Sequence, residues 1–273
     1  MKVAIIGLGV VGGSIAYALK ESSAEVELLG IESNEATLEQ ARESRMFNSL
    51  HPTVNAALGD ADVIFVCVPI AAVESVFEAI APLLNEESVV TDVSGIKTPV
   101  EESAFRLLTT GNYVGSHPMA GGQKGGFEHA QPNTFNDAVV AICSSRRSSP
   151  KALAQIETLW STMGATCLPM SPEEHDRTIA TTSHLPYLIA VTLTEFSHAP
   201  HAPELSGGSY RDATLRADFA PEIMAATINQ NAFLPETARH FAERLIEFAE
   251  LAEKKPEEFL ERAHHAREQR HND

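Results

Sequence analysis

Through the first 170 residues, short apolar runs alternate with amphipathic segments. That rhythm predicts strands and helices taking turns in a parallel α/β sheet. The predicted strands cover 2–7, 26–31, 63–68, 88–92, 113–116, 138–143 and 165–168. The 63–68 run is apolar throughout, as a strand buried on both faces requires, and Pro69 ends it. The predicted helices cover 11–21, 34–44, 72–84, 98–108 and 151–163. Pro99 falls in the first turn of its helix, where no backbone N–H is needed. After Met170 the strand runs stop. Ser171, with Glu174 three residues on, has the look of a capping box. Helical periodicity then covers 173–181, 185–197, 209–219, 221–230 and 234–254, followed by a charged tail. The Pro-, Gly- and His-rich stretch 198–208 reads as a loop. Two domains follow from this pattern, an α/β domain over 1–170 and an all-α domain over 171–273, a reasonable division for 273 residues.

The first turn of the α/β half carries Gly7-Leu8-Gly9-Val10-Val11-Gly12, a G-x-G-x-x-G run between a strand and a helix. Gly7 permits the tight turn, Gly9 lets backbone approach a pyrophosphate, and Gly12 lets helix pack on strand. The pyrophosphate is expected at the positive end of the helix, near Val10 and Val11. Glu32 ends the second strand, where a carboxylate accepts from a ribose 2′-hydroxyl and repels a 2′-phosphate. Arg42 is the first basic residue after it, so NAD is expected rather than NADP. Val68 and Pro69, at the end of the next strand, complete the expected cofactor set. The fold class is therefore α/β, a Rossmann-type doubly wound sheet, with an all-α domain behind it.

Composition narrows the partners. The formal net charge of -17 argues against nucleic acid and against an anionic membrane surface. An anionic substrate would need a locally positive site. Three scattered cysteines, Cys67, Cys143 and Cys167, supply neither a disulfide framework nor a metal pair, and a reducing cytoplasm fits them. Cys67 and Cys143 sit in apolar runs and read as small core residues. Residues 3–19 are uncharged behind Lys2, like a signal peptide, but the spaced glycines break the apolar run. A cytoplasmic location is expected, and no run is long and apolar enough to span a membrane.

The candidate chemistry lies at two later strand ends. One strand runs into Val93-Ser94-Gly95-Ile96-Lys97, the next into Ser116-His117-Pro118-Met119. Ligands of doubly wound sheets sit beyond the carboxyl ends of the strands, so both loops belong at the nicotinamide end. His117 is the one histidine placed there, a base that works near neutral pH, and Ser94 could orient it. Lys97, at a helix start, could neutralise a substrate, orient backbone or lie at the surface. His175 beside Asp176 reads as packing and capping. His198 and His201 flank a proline without a third ligand and read as a solvated loop, so no metal is expected. His264 and His265 read as surface residues of the tail.

These loops, with Thr182-Ser183-His184-Leu185-Pro186 and Tyr210-Arg211-Asp212-Ala213-Thr214, resemble the prephenate/arogenate dehydrogenases of tyrosine biosynthesis from Gly7 to about Asn229. The resemblance implies oxidative decarboxylation of a cyclohexadienyl substrate with NAD. It implies that His117 takes the proton of the ring hydroxyl while Ser94 holds its tautomer. It also implies a helical domain that makes a homodimer, for which long amphipathic helices such as 241–251 are suited. Substrate contacts implied in this way are Gln123, Ser183, His184, Tyr187, Arg211 and Arg216. Three of these positions depart from the family pattern. Many members have Glu at Gln123 and a second His at Tyr187. The family's carboxylate-binding Arg falls on Leu215, which makes Arg216 the expected replacement. Two other readings stay open: a β-hydroxyacid dehydrogenase or imine reductase on the same plan, and a non-catalytic NAD-binding regulator. The first usually has a Lys on the opening helix of the second domain, and 173–181 has none.

Overall fold

The computed structural model describes residues 1–273 apart from 23–24, 121–124, 145–146, 198–200, 220 and 273, and apart from the side chains of 203, 221–223 and 270–272. In chain order the strands are β1 (Lys2–Ile6), β2 (Glu27–Ile31), β3 (Ser49–His51), β4 (Val63–Val66), β5 (Val89–Asp92), β6 (Asn112–Pro118), β7 (Val139–Ser144) and β8 (Thr166–Met170). The helices are α1 (Val10–Glu21), α2 (Glu35–Glu43), α3 (Ile70–Ile80), α4 (Thr98–Leu107), α5 (Pro150–Thr162), α6 (Pro172–Ile179), α7 (Leu185–Phe196), α8 (Ala202–Leu205), α9 (Gly208–Thr214), α10 (Pro221–Ile228), α11 (Leu234–Lys254) and α12 (Pro256–Asn272).

The eight strands form one sheet in the order β3-β2-β1-β4-β5-β6-β7-β8. All neighbours are parallel except β6 and β7, so the last two strands run against the rest. Successive residues of a strand point to opposite faces, and both faces are covered. Val3, Ile5, Val63 and Phe65 join a core with Trp160, while Ala4, Ile6, Ile64 and Val66 join a second with Phe77 and Tyr113. Strand order reverses between β1 and β4, which opens a crevice beyond their carboxyl ends.

The chain divides into two compact units. The nucleotide-type unit holds Met1–Ile179 and also Asp218–Asn231, a segment from within the helical half. The second unit holds Ala180–Ala217 and Ala232–Asp273. α6 therefore packs with the sheet unit, although the texture of the sequence changes at Met170. Ser171 caps it as expected, accepting from the Glu174 amide at 3.1 Å. The second unit begins with a π-turn, Ala180–His184, before α7. Within it α11 and α12 form a hairpin closed by the Phe248–Phe259 ring contact, with Arg262 over Phe248.

Three details differ from the sequence pattern. β3 is an additional strand. The charged tail is the helix α12, and the expected loop after residue 197 contains the short helix α8. No helix of the described residues is long and apolar enough to cross a membrane.

Candidate active site

The turn after β1 is built for close backbone approach. Gly7 has φ +91°, and a Cβ there would lie 2.7 Å from the Cys67 carbonyl oxygen. A Cβ on Gly12 would meet the Gly7 oxygen at 2.0 Å, so the first turn of the helix can pack on the glycine turn only with glycine at this position. At Gly9 a Cβ would meet nothing within 4 Å, which is the open room a ligand at this turn needs. Gly9 also caps α1 without a side chain, leaving the helix's positive end to the cleft. Val10, Val11, Val68 and Pro69 line the same cleft, about 820 Å³ in volume, as do Gly7, Gly9 and Glu32. A dinucleotide fits this donor set, and bound NAD would supply the hydride acceptor.

Glu32 also organises the cleft around it. Its Oε2 accepts from the Leu8 amide and its Oε1 from the Asn34 amide, both at 2.8 Å. The carboxylate thus ties the glycine turn to the loop after β2. Removing it takes away two charge-assisted acceptors. Glu32→Ala is expected to weaken NAD binding about 10–100-fold and NADP binding less, measured by titration calorimetry. An unchanged ratio of the two affinities would remove the proposed role in discrimination.

His117, half-buried near the end of β6, is held by a chain of buried groups. Its Nδ1 lies 2.8 Å from His175 Nε2, and His175 Nδ1 lies 2.7 Å from Asp176 Oδ1. Asp176 also accepts the backbone amides of Lys97 at 2.7 Å and Thr98 at 2.8 Å. Burial alone would raise its carboxyl, but the hydrogen bonds from His175 and these amides outweigh it and hold the group below its ordinary value. An ionised carboxylate only accepts, so His175 Nδ1 is the donor to it. With His175 neutral, its Nε2 accepts from His117 Nδ1–H. The Nε2 of a neutral His117 then carries the lone pair. That edge faces Gly95 on the cleft wall, whose Cβ position lies 3.6 Å from His117 Nε2.

This corrects two expectations. His175 and Asp176 are members of the site, not merely a capped helix start. Ser94, expected to orient the imidazole, lines the cleft, but its buried Oγ has no hydrogen-bond partner among the described residues. The tautomer is held by His175 instead. Ser94 is fixed through its backbone, whose amide donates to Asp92 Oδ2 at 2.8 Å.

Lys97 is neither a surface lysine nor a free cation for substrate. It is 1% exposed, and its Nζ donates to Asp92 Oδ2 at 2.5 Å and to the Ser116 carbonyl at 2.7 Å. Asp92 Oδ1 accepts from Tyr113 Oη at 2.7 Å, and burial with the adjacent Asp92 charge pushes the Tyr113 hydroxyl upward. Ser116 Oγ bonds Thr91 Oγ1 at 2.8 Å and accepts from Trp160 Nε1 at 3.0 Å. One polar cluster thus joins the Ser94 loop to the strand that carries His117. Sequence spacing could have suggested it, because Asp92 ends a fully buried strand and a carboxylate there calls for a cation.

The remaining expected residues fall as follows. Gln123 lies outside the described residues, as does His198. His184 is buried in the π-turn, Ser183 is exposed and Tyr187 half-buried on α7. Arg211 is exposed on α9, and Arg216 is exposed on the 3-10 turn Leu215–Asp218 that follows it. The tighter turn begins at Leu215, where the family pattern has its Arg. Cys67 and Cys143 have thiols pushed up by burial, Cys143 to about 12, so neither is a nucleophile. No metal-type cluster exists among the described residues.

Comparison with known proteins places the chain in a family. The family model for the nucleotide-binding domain of prephenate dehydrogenase matches residues 15–168, and that for its dimerization domain matches 171–265. The cyclohexadienyl dehydrogenase of Zymomonas mobilis is 30% identical over 236 residues, spanning 84% of this chain and 80% of its own. The prephenate dehydrogenase of Bacillus subtilis is 27% identical over 226 residues, spanning 80% of this chain and 61% of its own. The solved Synechocystis arogenate dehydrogenase has a TM-score of 0.87 at 25% identity, covering 100% of this chain and 99% of that one. Prephenate dehydrogenase from A. aeolicus, solved with hydroxyphenyl propionate and NAD+, has a TM-score of 0.90 at 25% identity, covering 100% and 98%. With both domain models matched in order along nearly its whole length, the chain belongs to the prephenate dehydrogenase family.

Proposed function

We propose that the protein oxidatively decarboxylates prephenate or arogenate with NAD, giving 4-hydroxyphenylpyruvate or tyrosine. The observation that carries this reading is the Asp176–His175–His117 chain, which presents a basic imidazole nitrogen toward the wall of a dinucleotide cleft. Bound NAD would supply the acceptor for the hydride of the ring carbon that bears the hydroxyl. His117 Nε2 takes the hydroxyl proton as positive charge develops on that carbon, and returns it as loss of carbon dioxide makes the ring a phenol. Net proton release is zero, so the base needs only to hold the proton and hand it back. Asp176 and His175 keep the acceptor tautomer and balance the transient imidazolium.

Substrate carboxylates call for cationic or hydrogen-bonding partners. Arg211, Arg216, Ser183, His184 and Tyr187 of the helical unit, with Gln123, are the groups we assign to them. The helical unit also supports a homodimer. α11 exposes Phe241, Leu245 and Ile246 on one side, and α12 exposes Leu260. A cytoplasmic site of action fits three free cysteines. A passive NAD-binding regulator has no use for a base with a fixed tautomer, so turnover is the favoured reading.

The test is reduction of NAD by purified protein with prephenate and with arogenate, followed through the absorbance of the reduced nicotinamide. Turnover with one of the two, with carbon dioxide and reduced cofactor formed in equal amounts, is expected. NAD binding without turnover of either would favour the regulator.

A further inference from the structure

Asp218–Asn231 leaves the helical half of the sequence, packs in the nucleotide-type unit and returns. Nothing in the glycine fingerprint or the His117 loops accounts for that excursion. Its helix α10 brings Thr227 into the wall of the cleft that holds Glu32 and the glycine turn. The Thr227 Cγ2 methyl lies 3.6 Å from the position a Gly95 Cβ would take. The same position lies 3.6 Å from His117 Nε2. The Gly95 Cβ position is therefore within van der Waals contact of both a methyl and the basic nitrogen, and only the backbone of Gly95 stands beside it.

Asn231 holds the segment there. It is 2% exposed, and its Nδ2 donates to the Asp176 carbonyl at 2.9 Å. Its own amide donates back to Ile228 at 3.1 Å, closing the end of α10. The anchor point is the backbone of the residue whose carboxylate orients His175. The segment thus touches the cofactor cleft at Thr227 and the histidine chain at Asp176.

We propose that Thr227 is a cofactor-contacting residue that walls the nicotinamide end of the cleft, and that Asn231 is the positioning residue that keeps it there. This rests on the NAD reading above. A dinucleotide ends in two flat rings, and flat rings need apolar walls without intruding side chains. Glu32 marks the ribose of one end. Gly95 and Thr227, beside His117, supply a smooth wall at the other. The absent side chain at Gly95 and the small one at Thr227 keep it smooth.

The experiment is titration of the full-length protein with NAD alone, by calorimetry, for Thr227→Phe, Gly95→Ala and Asn231→Leu. The exposed Gln230→Ala on the same segment serves as the control. Thr227→Phe is expected to weaken NAD binding at least about tenfold, because a ring placed there takes the cofactor's room. Gly95→Ala meets only ordinary contacts and no positive φ, so it keeps the fold and is expected to weaken NAD by several-fold. It gives the answer even if Thr227→Phe does not fold. Asn231→Leu is expected to weaken NAD binding and lower kcat in the folded protein. A merely structural contact would lower Tm and leave both unchanged. Wild-type affinity in both Thr227→Phe and Gly95→Ala overturns the proposal while leaving the NAD reading intact. Failure of the unmutated protein to bind NAD overturns both.

Discussion

His117→Asn is expected to lower kcat by about 10²–10⁴-fold while NAD binding stays within about twofold of wild type. Asparagine can still accept at one atom and donate at another, so the fold and the contact to His175 are preserved in outline. What disappears is a nitrogen able to hold a full proton through hydride departure. An effect confined to the chemical step leaves KM for the ring substrate little changed, and single-turnover measurements separate the two. A variant with near-normal kcat would show that hydride transfer proceeds without this base. The oxidation would then have to be driven by the aromatic product alone.

The second large effect is expected at Lys97. Lys97→Met keeps length and volume but leaves Asp92 as a fully buried carboxylate without a counter-charge. Breaking one side of a buried pair costs about 3–5 kcal/mol. A carboxylate still bonded to Tyr113 and the Ser94 amide belongs toward the lower end of that range. The loss should appear in denaturant unfolding as a lower midpoint with an unchanged slope. Asp92→Asn with Lys97→Met should recover much of it, since the uncompensated charge is then gone. Recovery stays incomplete, because the Lys97 Nζ contact to the Ser116 carbonyl is not restored. Equal instability of the single and double variants would contradict the charge argument.

The nucleotide half was readable because its physics is repetitive. Parallel strands buried on both faces appear as apolar runs, and β1, β2, β4 and β5 could be placed from the sequence to within two residues at each end. β3 was invisible. Ser49–His51 has three half-buried residues and no pattern of its own, and pairs only because β2 offers an edge. The reversed direction of β7 and β8 leaves no trace in composition either. α12 is polar around its whole circumference, so periodicity had nothing to detect, and its hairpin with α11 rests on Phe259, Arg262 and Glu247.

At the site, His117 could be found because strand ends carry ligands in such sheets. Its partner could not, because His175 lies 58 residues away and is brought to it by folding. Ser94 was chosen for its place on the neighbouring strand end, which fixes its backbone near the site but does not aim its hydroxyl. Lys97 shows a different failure: substrate contact, backbone orientation and a surface position were all open for it, while its counter-ion, five positions earlier on a strand, went unread. The cofactor set was the most legible, since glycine spacing and an acidic residue act through local backbone geometry. The segment bearing Thr227 was the least, being helical in pattern and separated from the sheet unit by a whole run of helices.

The most direct measurement is nitrogen NMR of protein labelled at the histidine rings, with the His117→Asn spectrum used to assign the wild-type signals. Near neutral pH and above, the account predicts that His117 is protonated at Nδ1 and bare at Nε2, with His175 likewise protonated at Nδ1. A His117 ring carrying its proton on Nε2 would contradict it, because the nitrogen turned toward the cleft could then take no proton from the substrate.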